Sequence, residues 1–288
     1  LNKSELYINY NGELITADAG LDYSLNRAFL YGDGLFESMH AFGLQVQLFD
    51  LHHQRLAAGM KALKLLPDEK LKKESLHFEI DRLLKRNKYF GGTRVRLTVF
   101  RKDGGLYSPE TCNVSFVITA NALQNKFYKI NEKGYTIDIF TALRKSVNYL
   151  SPFKTCSSLM NVMAGIYCSE NQLNDCLLLN EKNRIIESYH SNIFIVKDNI
   201  LYTPDVDSGC IMGVMRETIL GIAKQIEIKV VEVEGFVEKD LLLADEIFLT
   251  NAIEGIRWVL AFKNRRYYNR TAALLNDQLN TLMFSNIS

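Results

Sequence analysis

The chain has 288 residues, 47% hydrophobic and 23% charged, and 34 Lys+Arg against 33 Asp+Glu give a net charge of +1. Such a composition has ample apolar surface to form a core and excludes disorder as the main state. The charge balance offers none of the basic excess of a nucleic-acid binder, and no apolar run reaches the roughly 18 residues of a membrane span.

The opening Leu1–Glu5 lacks the apolar stretch of a signal peptide. Tyr7–Tyr10 precedes Asn11-Gly12, a favoured two-residue turn, which predicts a hairpin. Leu56, Met60, Leu63 and Leu66 recur at helical spacing, and a second helix runs to about Lys88 before Gly91-Gly92 breaks it. Strands are predicted at Arg94–Phe100, Val114–Thr119 and Tyr135–Phe140. In the second half, Ser157–Glu170 reads as a helix, followed by short strands at Cys176–Leu179, Ile185–Glu187 and Ile193–Val196. Met215–Gln225 is helical, Ile228–Val233 and Glu246–Thr250 are strands, and Ala272–Phe284 closes the chain as a helix. Strands mixed with helices imply an α/β (α+β) protein. We place a smaller N-terminal domain at 1–125 and a larger C-terminal one at 126–288, the latter carrying Lys154.

Five cysteines, an odd number with no Cys-x-x-Cys pair, argue against a disulfide framework or a zinc site and for a reducing, cytoplasmic setting. His52 and His53 invite a metal reading, but adjacent helical residues point about 100° apart and chelate poorly. No metal is assigned.

Five stretches carry candidate chemistry. Tyr31-Gly32-Asp33-Gly34-Leu35-Phe36-Glu37-Ser38 has two glycines around an aspartate, which suits a close approach or simply a tight turn entering a strand. In Ser151–Ser158, Lys154 sits among small and apolar residues. A desolvated lysine suits Schiff-base chemistry, although most lysines are solvated surface residues. Glu187 ends an apolar strand, either to face a cationic ring or to meet water. The glycines of Ser208–Glu217 precede a helix whose free N–H groups would suit phosphate. Thr250 and Asn251 close another apolar strand with hydroxyl and amide donors, or form an ordinary strand-end turn.

In this order and spacing, from about Tyr7 to Trp258, these stretches resemble the class IV aminotransferases, the fold-type IV enzymes that use pyridoxal 5′-phosphate (PLP). The family includes branched-chain aminotransferases, D-amino acid aminotransferases and 4-amino-4-deoxychorismate lyases. The resemblance implies two α/β domains with the cofactor in the cleft between them, a homodimer, and a small-molecule amino substrate. It implies that Lys154 holds PLP and moves protons, and that Glu187 faces the pyridine nitrogen. Arg55 and Thr250 match positions that bind the phosphate, and Val214 and Met215 match those that offer it backbone N–H groups. These roles agree with the residue chemistry: Arg55 has a planar fork for phosphate oxygens, and a carboxylate at the ring nitrogen favours an electron sink.

Departures concern detail. The family usually has Thr at the Met215 position and Pro at Met212, and lyases and D-amino acid enzymes often have Asn at the Ser157 position. Leu159 stands where branched-chain enzymes carry tyrosine, and Thr250-Asn251-Ala252 where they carry a Gly-Thr-Ala type turn. They also lack an arginine at the Arg101 position. Gly105-Leu106-Tyr107-Ser108 lacks the Arg-x-His carboxylate trap of the D-amino acid enzymes. The Gly32–Ser38 and Thr250–Ile256 stretches look most like the lyases. Tyr31, Ser38, Arg101 and Asn251 are the candidate substrate residues, with Arg101 holding a substrate carboxylate. The resemblance thus implies lyase chemistry that releases pyruvate and 4-aminobenzoate, a folate precursor. Its alternative is amino transfer to a 2-oxo acid.

Overall fold

The computed structural model describes residues 6–20 and 24–284. Leu1–Glu5, read above for a signal peptide, lies outside the described residues. No described helix is long and apolar enough to cross a membrane. The chain divides into two compact units. The first comprises Leu1–Lys126 with Phe153–Ser158, and the second comprises Phe127–Pro152 with Leu159–Ser288.

The first unit opens with the expected hairpin, β1 (Tyr7–Tyr10) and β2 (Glu13–Thr16), in antiparallel register. Its turn residues Asn11 and Gly12 both take positive φ (51° and 87°), as the twist of a two-residue hairpin demands. A short helix, α1 (Arg27–Tyr31), follows, and the Asn26 side chain caps it by accepting from the Ala28 and Phe29 amides. Next come β3 (Gly34–Phe42), β4 (Gln45–Val46), α2 (Phe49–Ala62), α3 (Lys73–Arg86), β5 (Thr93–Arg101) and β6 (Val114–Ala122). The six strands form one sheet in the order β2-β1-β6-β5-β3-β4. Alternation sends Met39, Val95, Leu97, Val99, Phe116 and Ile118 into a core with Leu56, Met60, Leu76, Ile80, Leu83 and Leu84 of the two helices.

The second unit holds β7 (Tyr135–Lys145), α4 (Leu159–Glu170), β8 (Asp175–Asn180), β9 (Ile185–Ser188), β10 (Asn192–Lys197) and β11 (Ile200–Pro204). It continues through α5 (Val214–Gln225), β12 (Val230–Val233), α6 (Glu238–Leu242), β13 (Glu246–Asn251), β14 (Gly255–Phe262), β15 (Arg265–Arg266) and α7 (Arg270–Phe284). Its nine-stranded sheet runs β12-β11-β10-β13-β14-β7-β8-β9, with β15 paired to β14. The neighbours β14/β7 and β7/β8 are parallel and β8/β9 antiparallel. Strands β10 and β13 are buried along almost their whole length, with apolar side chains on both faces. Ile193, Ile195, Ile247 and Leu249 fill one core, while the intervening Phe194 and Phe248 stack with centroids 5.0 Å apart.

The helix expected from Ser157 begins at Leu159. The residues before it correct a larger expectation, because Lys154 belongs to the first unit and not to the C-terminal domain. Phe153–Ser158 pairs with β3: the Phe36 amide donates to the Lys154 carbonyl (2.8 Å), the Cys156 amide donates to the Gly34 carbonyl (2.9 Å), and Leu35 bridges Thr155. A six-residue segment with no internal hydrogen-bond ladder is placed by the strand that accepts it.

Candidate active site

In the first unit the two faces of β3 do different work. Leu35, Glu37, Met39 and Ala41 point one way, Phe36 and Ser38 the other. Glu37 is a carboxylate on the core face, only 2% exposed. Two bonds from Arg55 hold it, Nε to Oε1 at 2.8 Å and Nη2 to Oε2 at 2.6 Å, and His52 Nδ1 lies 2.6 Å from Oε2. Both partners come from one turn of α2, three residues apart. Burial pushes the Glu37 carboxyl upward, but Arg55 and His52 outweigh it and hold it at about 2. Burial lowers His52. The two adjacent histidines face different partners: His52 serves Glu37, and the His53 ring nitrogen Nε2 lies 3.0 Å from the Leu71 carbonyl.

On the other face lies Phe36, whose ring is shared by two cations. The Lys154 ammonium stands 4.8 Å from its centroid and the Arg96 guanidinium carbon 3.9 Å. Arg96 is half-buried on β5, opposite Ser38 in register. Among the described residues no carboxylate or carbonyl takes its N–H groups. Burial lowers its proton affinity below that of an exposed guanidinium. The neighbouring Cys156 thiol is pushed up to about 11, chiefly by burial, with Arg96 opposing. Ser38 Oγ accepts from Arg94 at 3.4 Å. Sequence reasoning missed Arg96, although the i, i+2 spacing of Arg94 and Arg96 in a strand already put both on one face.

Two expected substrate residues on this unit have other employment. Arg101 is 7% exposed; its Nε donates to Asp33 at 2.9 Å, and its Nη groups donate to the Leu63 and Lys64 carbonyls. Arg27 donates to the same Asp33 oxygen and to the carbonyls of Gly104, Gly105 and Leu106. Arg101 is thus a strut tying β5 to the turns around it, not an arginine open to a substrate carboxylate. Tyr31 closes α1 with its ring under the Arg27 guanidinium (4.9 Å) and beside Tyr107 (5.6 Å).

In the second unit Glu187 sits on β9, its side chain 5% exposed. Lys145 Nζ lies 2.5 Å from Oε1, and the Ile211 amide donates to Oε2 at 2.8 Å. The loop holding Ile211 leads to Gly213, the N-cap of α5, where no side chain caps the helix. A Cβ on Gly213 would meet Asn192 Oδ1 at 1.8 Å, so the backbone passes where no side chain fits. The amides of Val214 and Met215 open this twelve-residue helix, which packs against β13. Thr250 on β13 is 1% exposed, and its Oγ1 has no hydrogen-bond partner among the described residues. An orphaned buried hydroxyl and an uncapped helix N-terminus fit a phosphate group.

Asn251 is a turn-builder. Its Oδ1 accepts from the Ile253 and Glu254 amides, and its Nδ2 donates to Ser191 and Glu254, so its polar atoms are spent within the protein. Glu254 faces His190, Arg257 and the Tyr135 hydroxyl. Burial would raise its carboxyl, but the His190 hydrogen bond, Asn251 and Arg257 hold it at about 2. Across the same histidine lies Asp175, fully buried and pushed up to about 6 by burial, with His190 and the Ser188 hydroxyl opposing.

The family model for amino-transferase class IV matches residues 34–262. The chain belongs to the class IV aminotransferases. It is 26% identical over 249 residues to an aminodeoxychorismate lyase of Bacillus subtilis, covering 85% of this chain and 83% of that one. Among solved structures, a branched-chain aminotransferase from Thermoproteus uzoniensis with norvaline superposes with a TM-score of 0.87 at 20% identity, covering 98% and 96% of the two chains. A T.th. branched-chain amino acid aminotransferase with pyridoxamine 5′-phosphate gives 0.84 at 21%, covering 96% and 93%. The fold is that of the fold-type IV enzymes, the chain is an enzyme, and its cofactor is PLP.

Proposed function

We propose that this class IV enzyme is a 4-amino-4-deoxychorismate lyase, releasing pyruvate and 4-aminobenzoate. The turn over Thr250–Gly255 carries this reading. Asn251 knits it together, and its Thr-Asn-Ala-Ile-Glu-Gly sequence is the lyase-like feature. Lys154 anchors the cofactor, Arg55 and Thr250 bind its phosphate with the amides of Val214 and Met215, and Glu187 accepts from its pyridine nitrogen. PLP supplies an electron sink for the pair left when the substrate's Cα–H bond breaks. The Lys154 amine takes that proton from the carbon bearing the substrate amine. Breaking the adjacent C–O bond, with its electron pair leaving on oxygen, would release the enolate of pyruvate, which takes up a proton on carbon to give pyruvate and leaves the ring aromatic. Arg96, stacked on Phe36 beside Lys154, holds a substrate carboxylate in the role expected of Arg101. Ser38 lines the same face of the sheet.

Amino transfer is the second reading, favoured by the same Arg96, which would equally take the carboxylate of an acidic donor. Incubation with aminodeoxychorismate separates the two: equimolar pyruvate and 4-aminobenzoate support the lyase. A cofactor absorption band lastingly bleached by one amino donor without acceptor, and no pyruvate from aminodeoxychorismate, overturns it. Lys154→Ala abolishes turnover in either case, and retained activity would remove Lys154 from its role.

A homodimer is part of the proposal. Helix α4 buries Ala164 and Cys168 but exposes Leu159, Val162, Met163 and Ile166, an apolar stripe that a second copy would cover. Sedimentation of Met163→Glu as a monomer is the expected result.

A further inference from the structure

Glu187 is held from two directions. The Ile211 amide comes from the loop that opens α5, and the Lys145 ammonium comes from the end of β7. Neither contact is local. Lys145 stands beside Asn180 in the β7/β8 register and Glu187 beside Leu178 in the β8/β9 register, so the intervening strand β8 brings them together near one edge of the sheet. Lys145 Nζ also donates to the Ser151 carbonyl at 3.4 Å. Ser151 is itself fixed, its hydroxyl donating to the Ser146 carbonyl and accepting from the Asn148 amide. One ammonium group therefore ties the buried carboxylate to the 146–151 turn, which leads into the Lys154 segment. The Lys145 side chain is 19% exposed, so this ion pair is largely removed from water.

We infer that Lys145 is a positioning residue for the cofactor's pyridine ring, acting through Glu187; this rests on the proposed role of Glu187. A carboxylate oxygen accepts more than one hydrogen bond, so Oε1 and Oε2 remain competent acceptors while Lys145 and Ile211 fix their plane. With the ammonium on Oε1 and the Ile211 amide on Oε2, the carboxylate is held in one orientation, the one in which it would accept from the ring nitrogen. Without Lys145 the carboxylate keeps one fixed partner, the Ile211 amide, and its charge is buried without compensation.

The test uses the full-length protein loaded with PLP carrying nitrogen-15 in the ring. Wild type, Lys145→Met, Lys145→Arg and Glu187→Gln are compared for PLP dissociation constant, ring nitrogen resonance and melting of the cofactor-free form. Lys145→Met is expected to weaken PLP by about tenfold or more, as loss of a buried supporting partner does, and to move the ring resonance toward the unprotonated position. Lys145→Arg restores most of both. Should Lys145→Met not accumulate as folded protein, Lys145→Gln, which keeps a donor without the charge, is read in the same way. Wild-type affinity and resonance in Lys145→Met would overturn the inference while leaving Glu187 in place. An unchanged resonance in Glu187→Gln would remove the role of Glu187 itself, and the inference with it.

Discussion

Glu37 in the first unit and Asp175 in the second are both buried carboxylates, and they titrate in opposite directions. Burial is the largest influence on each and raises both. Glu37 nevertheless falls to about 2, because Arg55 grips it with two bonds and His52 adds a third. Asp175 rises to about 6, because among the described residues its partners are the Ser188 hydroxyl at 3.0 Å, its neighbouring amide, and a histidine nitrogen at 3.4 Å. A planar guanidinium at bonding distance reverses the desolvation penalty, and neutral donors with a distant ring do not. The first arrangement also fixes the orientation of the Arg55 guanidinium against Glu37.

The comparison breaks hardest at Glu37→Gln, which leaves the Arg55 guanidinium buried without its counter-charge. Equilibrium urea unfolding should show a loss of about 3–5 kcal/mol. The pH dependences come next. The Glu37 contribution is present above the ordinary carboxylate value of 4.5 and is lost as pH falls toward about 2. Asp175 has the opposite sign: its contribution is full below 3.8 and is lost as pH rises through about 6. Unfolding measured between these limits should show a slope worth about 3 kcal/mol that Asp175→Asn abolishes; a slope unchanged in that variant would reject the burial account. Smallest is Ser188→Ala, which removes one hydrogen bond from Asp175, costs about 1 kcal/mol and moves the Asp175 titration further up.

Much of this is legible in the sequence alone. Alternation locates β5 and β6, helical spacing locates α2 and α3, and Asn11-Gly12 locates the hairpin, because each signal is local. Helix α1 is not legible: five residues are too few to show a period, and only its Asn26 cap marks it. Strand β14 escapes because Arg257 and Trp258 interrupt its apolar run. For the site, residue types and order indicate Lys154, Glu187, Arg55 and Thr250 as candidates. The partners that orient them are hidden, since Lys145 meets Glu187 only through the register of three strands. Arg101 looks available for the same reason; nothing local reveals that Asp33 and two distant carbonyls claim its donors.

The pairing of Leu35 with Thr155 joins residues 120 positions apart, from 155 minus 35. On a growing chain, β3 is synthesised long before the segment that lies along it. The first unit therefore emerges with that stretch of β3 lacking its Phe153–Ser158 partner, and completes itself only after the ribosome has delivered Phe127–Pro152 of the second. Neither unit can be excised as one continuous fragment. A fragment ending at Lys126 would lack not only Lys154 but the segment that covers Gly34 and Phe36, and would present those backbone groups to other chains.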